Sequence, residues 1–183
     1  MRSMANLDER MLISRSRRIL IPVKPSEISE LSAILDDIRP HIHPSCSLQL
    51  LALCPPFLSG ADGDLAYAHG FHHAAVLDET RSALIQLVGK TRWNTARFQT
   101  AVCEGGLLRI VGAARNNLSD LILLATPGWT ASRLARWKIA YLRRLSDCQV
   151  LVLGRQQGPA DGLPISLGAM KRALTTGAAF APA

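Results

Sequence analysis

A chain of 183 residues, 48% of them apolar, is long enough for one domain that buries roughly 70% of its unfolded surface and short for two. Its longest uncharged apolar runs, among them "LILLATPGW" and "VLVLG", fall well below the roughly 20 residues that a membrane-spanning helix needs, so no membrane role is expected. The net charge of +7 sits in two clusters, Arg2, Arg10, Arg15, Arg17 and Arg18, then Arg133, Arg136, Lys138, Arg143 and Arg144. No recognised nucleic-acid motif accompanies them, so both read as solvated basic faces and nucleic acid is not an expected partner.

The opening stretch, "MRSMANLDERMLISRSRR", lacks the apolar core of a secretory signal, and the expectation is a basic arm over 1–16 on a cytoplasmic protein. "RRILIPVK" (17–24) is a nearly continuous apolar run, the pattern of a strand buried on both faces. "PSEISELSAILDDIRP" follows as an amphipathic helix, with Ser26 as its cap, Ile28, Leu31, Ile34 and Leu35 on one stripe, and Pro40 as its stop. "SLQLLALCPP" (47–56) is a second buried strand. The segment after it begins as a glycine-containing loop and turns helical, with Leu84, Leu87 and Val88 at helical spacing.

"RFQTAVCEG" (97–105) is the third strand, "GLLRIVGAARNNL" (106–118) a helix and "DLILLATP" (120–127) the fourth strand. "SRLARWKIAYLRRLSD" (132–147) is again a helix, and "CQVLVLGR" (148–155) the fifth strand. Five apolar strands alternating with helices require a parallel sheet covered on both faces, a doubly wound α/β domain, because each parallel neighbour is reached through a crossover helix. In such sheets ligands sit beyond the carboxyl ends of the strands where strand order reverses. Here that selects "VKPSE" after the first strand and "ATPGWT" after the fourth.

"ILIPVKPSE", "CEGGLLRIVGAARNNLSDLILLATPG" and "CQVLVLGR" together resemble the universal stress protein family over residues 17–155, in order and with matching spacing. The resemblance implies a five-stranded sheet in the order 3-2-1-4-5 and a homodimer formed through the fifth strand. For one branch of the family it also implies ATP binding through a glycine-rich loop after strand four. Within that pattern the first glycine corresponds to Ala125, the second to Gly128, and the Gly-Ser dyad falls within "RWKI" (136–139). Bulky Arg136 and Trp137 thus stand where small residues would let backbone N–H groups reach phosphate. The aspartate that closes strand one in ATP-binding members corresponds to Lys24, a donor in place of an acceptor. The chain therefore reads as a divergent member with a degenerate nucleotide site.

Val23, Lys24 and Ser26 from the first strand end, with Thr126, Gly128, Trp129, Thr130 and Arg133 from the fourth, form the candidate ligand crevice. No cofactor is expected; ATP or a small anion held by a helix start and two cations is the alternative. His41, His43 and Cys46, or His72 beside His73, offer no convergent metal-ligand spacing, and no metal is expected. Trp129 and Trp137 could stack on a base, but Trp137 shares a stripe with Leu134, Tyr141, Leu142 and Leu145, which favours packing. Cys46, Cys54, Cys103 and Cys148 form no C-x-x-C pair and read as reduced, mostly buried thiols. Neither paired acids for a magnesium-dependent phosphoacceptor nor a G-x-S-x-G elbow is present, and no catalytic residue is assigned.

The fifth strand lies at a sheet edge in this arrangement, and Gln149, Val150, Leu151, Val152 and Leu153 are the candidate dimer contact. Residues 156–183 extend beyond the usual family terminus as a Gly-, Ala- and Pro-containing tail, with Leu163 to Leu174 as a possible short helix. The expected function is regulatory or binding and not catalytic. The alternatives are a nucleotide binder with a rebuilt phosphate loop and an interaction module that meets an unidentified protein partner through its basic helix and tail.

Overall fold

The computed structural model describes residues 7–56, 64–91, 93, 97–126, 129 and 134–153. Five parallel strands, β1 (Arg18–Val23), β2 (Ser47–Cys54), β3 (Phe98–Glu104), β4 (Leu121–Leu124) and β5 (Gln149–Val152), make one sheet in the order β3-β2-β1-β4-β5. The helices are α1 (Leu7–Arg15), α2 (Ile28–Ile38), α3 (Asp64–Lys90), α4 (Leu107–Asn116) and α5 (Ala135–Leu145). None of the described helices is long and apolar enough to cross a membrane.

Alternation along the strands builds two apolar layers, one on each sheet face. Ile19, Ile21 and Val23 of β1, with Leu48, Leu50 and Ala52 of β2, face Leu31, Leu35 and Ile38 of α2 and Leu84 and Leu87 of α3. Leu20, Leu51, Leu53, Ile122 and Leu124 turn the other way, toward Ile110, Val111 and Ala114 of α4 and Ile139 and Leu142 of α5. The central strands β1 and β4 are apolar nearly throughout because both of their faces are covered, which is why these runs looked continuous in the sequence, whereas β3 at the sheet's edge leaves Gln99 and Thr100 exposed.

The start of the sheet is latched by Asp120. Its Oδ2 accepts the backbone N–H groups of Arg17 at 2.7 Å and Arg18 at 2.9 Å, and its own N–H donates to the Arg18 carbonyl at 2.9 Å. This ties the beginnings of β1 and β4 together before the ladder begins at Ile19 and Leu121.

Two local features in the first third of the chain differ from the sequence reading. Residues 7–15 of the expected arm form α1, which sends Ile13 fully into the core and buries Glu9; Ser14 and Ser16 then bond back to the carbonyls of Met11 and Leu12 at its end. Ser26 does not cap α2: Pro25–Glu27 is a 3₁₀ turn, and α2 starts after Glu27 without a side-chain cap. Pro25 fixes the backbone there, so Ser26 falls inside the turn and not at the helix boundary. Pro40 does stop α2, within a 3₁₀ turn over Arg39–His41.

On α5 the buried stripe is Ala135, Ile139 and Leu142, while Leu134 and Trp137 are exposed. The stripe through Leu134, Trp137 and Tyr141 is real, but it does not face the sheet.

Candidate functional site

Strand order reverses between β1 and β4, so the crevice should open above Val23 and Leu124. The β1–β4 ladder runs only through Ile19↔Leu121 and Leu20↔Ile122. Because Arg18 gives its carbonyl to Asp120 beside β4, the alternate residues Leu20 and Pro22 turn their backbone groups to the same side. Pro22 lies past the last ladder pair and has no N–H to satisfy, which accounts for a proline in a central strand. Its carbonyl is left for another donor.

That donor is the indole of Trp129. Nε1–H donates to the Pro22 carbonyl at 3.0 Å, and the side chain is only 4% exposed, packed with the layer that contains Leu20 and Leu124. The backbone N–H of Trp129 donates to the Thr126 carbonyl at 3.1 Å. Lys138 places Nζ 6.0 Å from the centre of the same ring, within range of a cation–π attraction. Trp129 therefore fills the place where β1 and β4 separate.

A second closure lies beside it. Thr126 is fully buried and its hydroxyl donates to Glu27 Oε2 at 2.6 Å. Glu27 reaches the crevice because the 3₁₀ turn after Lys24 folds back, with the Glu27 N–H on the Lys24 carbonyl at 2.9 Å. The arrangement puts a carboxylate next to the end of β4, where a phosphate-binding site would need donors. Two anions a few ångströms apart repel, by about 4 kcal/mol at 4 Å in surroundings typical of a protein surface.

Among the candidate residues, the structure brings Val23, Thr126 and Trp129 to one end of the sheet, Val23 and Thr126 fully buried. Lys24 is half-buried and extended at the exit of β1, and Ser26 is exposed in the turn after it. Gly128, Thr130 and Arg133 lie outside the described residues. Glu27 is the residue that sequence reasoning missed. It stands in the quoted "VKPSE", but its partner is 99 positions away and only the fold joins them.

Two of the histidines have partners elsewhere. His73 Nε2 lies 2.7 Å from Glu104 Oε1 at the carboxyl end of β3, a contact that the sequence did not reveal. The His43 ring meets the guanidinium of Arg17 and the hydroxyl of Ser45. Among the described residues, no three His, Cys, Asp or Glu side chains gather as metal ligands do. All four thiols are unbridged, Cys46 and Cys54 buried, Cys103 and Cys148 half-buried. Burial raises the pKa of Cys103 and Cys148, and that of Cys46 to about 11, so none of these three is poised as a thiolate nucleophile.

The described surface also carries a cavity of about 640 Å³ at the opposite, amino end of the strands, lined in part by Arg15, Asp120, Asp147, Cys148 and Gln149. Another, of about 350 Å³, lies beside Arg10, Ser14, His41 and His43. Of the candidate crevice and dimer-contact residues, only Gln149 lines either one.

At the sheet's edge, Gln149 and Leu153 donate their N–H groups to the carbonyls of Asp120 and Leu124 on the β4 side. Leu151 follows the same alternation, so Val150 and Val152 turn their backbone groups to the open edge. There the Val150 carbonyl accepts Arg143 Nη2 at 3.4 Å. A charged side chain laid over an edge strand is one of the ways that sheets blunt unwanted pairing.

No protein-family model and no curated protein sequence matches the chain. Solved structures do match it in shape. One, described as a structure-based assignment of the biochemical function of hypothetical protein MJ0577, is 16% identical, with a TM-score of 0.55 over 78% of this chain and 98% of that one. Universal stress protein UspA from Lactobacillus plantarum is 20% identical over 74% of this chain and 96% of its own, with a TM-score of 0.47. A universal stress protein in complex with cAMP is 14% identical over 76% and 97%, with a TM-score of 0.41. Identities this low speak to architecture alone: the chain shares the overall fold of the MJ0577 structure, and its five-stranded, doubly wound sheet has the strand order that the sequence resemblance implied.

Proposed function

We propose that this chain is a non-catalytic regulatory or binding protein whose switch-point crevice does not take ATP through the phosphate loop of the nucleotide-binding branch it resembles. The observation that carries the proposal is the pair of closures: Trp129 on the Pro22 carbonyl, and Thr126 on Glu27. A phosphate seated after β4 would have to separate the second pair and lie against a carboxylate. The exchange of an acceptor for Lys24 on the other wall supports the same reading, as does the unbridged state of the cysteines for action in a reducing compartment such as the cytoplasm.

The test is calorimetry and thermal shift with ATP and Mg²⁺, run beside AMP, inorganic phosphate and a Lys24→Asp variant. The proposal expects no specific stabilisation up to about 1 mM; a ligand at 100 times its Kd would contribute about 2.7 kcal/mol and be plain in the melting curve. Specific stabilisation by ATP at sub-millimolar concentration contradicts it.

Self-association through β5 belongs to the same proposal. Val150 and Val152 present backbone groups to the open edge, and Arg143 must leave the Val150 carbonyl for a second strand to add. Val152→Pro removes an edge N–H without touching the β4 ladder, so it should shift a sedimenting dimer to monomer. An unchanged sedimentation coefficient places the contact elsewhere.

A further inference from the structure

Helix α5 carries two apolar stripes, and the sheet uses only one. Ala135, Ile139 and Leu142 are buried in the layer over β4 and β5. The second stripe faces outward, with Leu134 61% and Trp137 46% exposed and Tyr141 half-buried. The rings of Trp137 and Tyr141, one helical turn apart, lie 5.3 Å centre to centre at 27°, and so form a single stacked plate on the surface. A large aromatic left in water forgoes a sizeable hydrophobic stabilisation, so an exposed plate of this kind points to a use outside the fold.

The segment that carries it has charge of one sign. No acidic residue occurs between Leu121 and Ser146. Asp147, just beyond, is paired with Arg115 at 3.2 Å. Of the cations on α5, Lys138 stands over Trp129 and Arg143 holds the Val150 carbonyl, while Arg136 and Arg144 are exposed on the outer side of the helix with small Ala140 between them.

From this juxtaposition we propose that the outer face of α5 binds single-stranded nucleic acid, with unpaired bases continuing the Trp137–Tyr141 stack and Arg136 and Arg144 meeting the phosphates. Aromatic plates combined with flanking cations are the means by which single strands are held without regard to sequence, since every base offers a flat face. A second copy of the chain is disfavoured as the occupant because it would set Arg136 and Arg144 against themselves. A duplex is disfavoured because its stacked bases cannot reach the rings. The sequence had suggested a solvated basic helix; the exposed ring pair is what the fold adds.

The test is fluorescence anisotropy of a labelled oligo(dT) of roughly 20 nucleotides, longer than a binding site of about 4–16, titrated with the full chain at low salt. Binding is expected in the micromolar range, weakening about 7- to 18-fold between 50 and 200 mM salt if two or three phosphates are neutralised. Trp137→Ala with Tyr141→Ala should weaken it at least tenfold, while Trp137→Phe with Tyr141→Phe should keep most of it. Arg136→Gln with Arg144→Gln should weaken it and flatten the salt dependence. Arg136, Trp137 and Arg144 are exposed and Tyr141 is half-buried, so circular dichroism and a melting curve check that each variant folds before its binding is compared. No binding up to ~100 µM overturns the proposal, since even non-specific complexes reach that range. So does unchanged binding by the double alanine variant, or tighter binding of a duplex. A greater loss with Leu134→Ala than with the ring variants would also overturn it, because a leucine offers no ring on which a base can stack.

Discussion

Replacing Trp129 by alanine removes the side chain that fills the gap between β1 and β4, and the size of the effect can be worked from its surroundings. A tryptophan buries about 200 Å², so at about 25 cal/mol per Å² the apolar contribution is at most about 5 kcal/mol. The Pro22 carbonyl also loses its donor, a penalty of about 1–3 kcal/mol where water does not replace it. These two overlap, and core Trp→Ala changes fall at about 3–5 kcal/mol, which is the expected loss. Trp129→Phe keeps most of the bulk without the N–H and should lose about 1–2 kcal/mol. Urea unfolding followed by circular dichroism reads this as a midpoint lowered by ~2 M for the alanine variant, taking a slope of about 2 kcal/mol per M. Free indole should restore part of the loss by entering the vacated space. A shift below about 1 kcal/mol for Trp129→Ala would refute the reasoning, because a side chain that can be deleted so cheaply is not filling the crevice.

Other consequences follow from single residues. Leu118 ends α4 at φ 49°, with Ser119 N–H on the Ala114 carbonyl, a left-handed position that favours glycine; Leu118 is also 70% exposed, so Leu118→Gly should raise the urea midpoint, by about 1 kcal/mol in stability. Glu9 is 5% exposed and burial raises its pKa, outweighing its place at the start of α1; its contribution is therefore fully present below the unfolded value and lost as pH rises through the folded one. Glu9→Gln should accordingly stabilise the protein at pH 7 and lose that advantage near pH 4, as read by melting temperature. Burial pushes the Cys46 thiol up to about 11, so stability is retained below the unfolded thiol's value and falls as pH rises from there toward 11. Cys46→Ala should flatten that alkaline decline in unfolding free energy, and the native Cys46 thiol should resist alkylation at pH 8.

The sheet was legible in the sequence because "ILIPV", "LLALC" and "LILL" are apolar on both faces and are separated by helix-length polar segments. Those features survive any details of packing. Helix α1 was not legible, since its apolar residues are interleaved with Asp8, Glu9, Arg10 and Arg15, and what orders it is the insertion of Ile13 into a core made by later segments. The orientation of α5 was half legible. Helical spacing shows that Leu134, Trp137 and Tyr141 align, but a helix with two apolar stripes gives no sign of which one meets the sheet, and the smaller side chains of Ala135 and Ile139 fit closer to it.

The candidate site divides in the same way. Lys24, Thr126 and Trp129 could be placed from strand ends alone, because the position of a crevice in a doubly wound sheet follows from topology. Their partners could not. The Trp129–Pro22 and Thr126–Glu27 bonds span 107 and 99 residues, and nothing in the local sequence pairs them.

The most direct test of a closed crevice is to watch Trp129 itself. In a Trp93→Phe, Trp137→Phe variant its indole is the sole tryptophan, and acrylamide quenching of its fluorescence reports its access to solvent with and without ATP and Mg²⁺. The closed crevice predicts weak quenching, as for a buried ring, unaltered by ATP to about 1 mM, a level at which a sub-millimolar ligand would occupy most of its sites. Strong quenching of the free protein, or a ring that ATP drives into solvent, would contradict it.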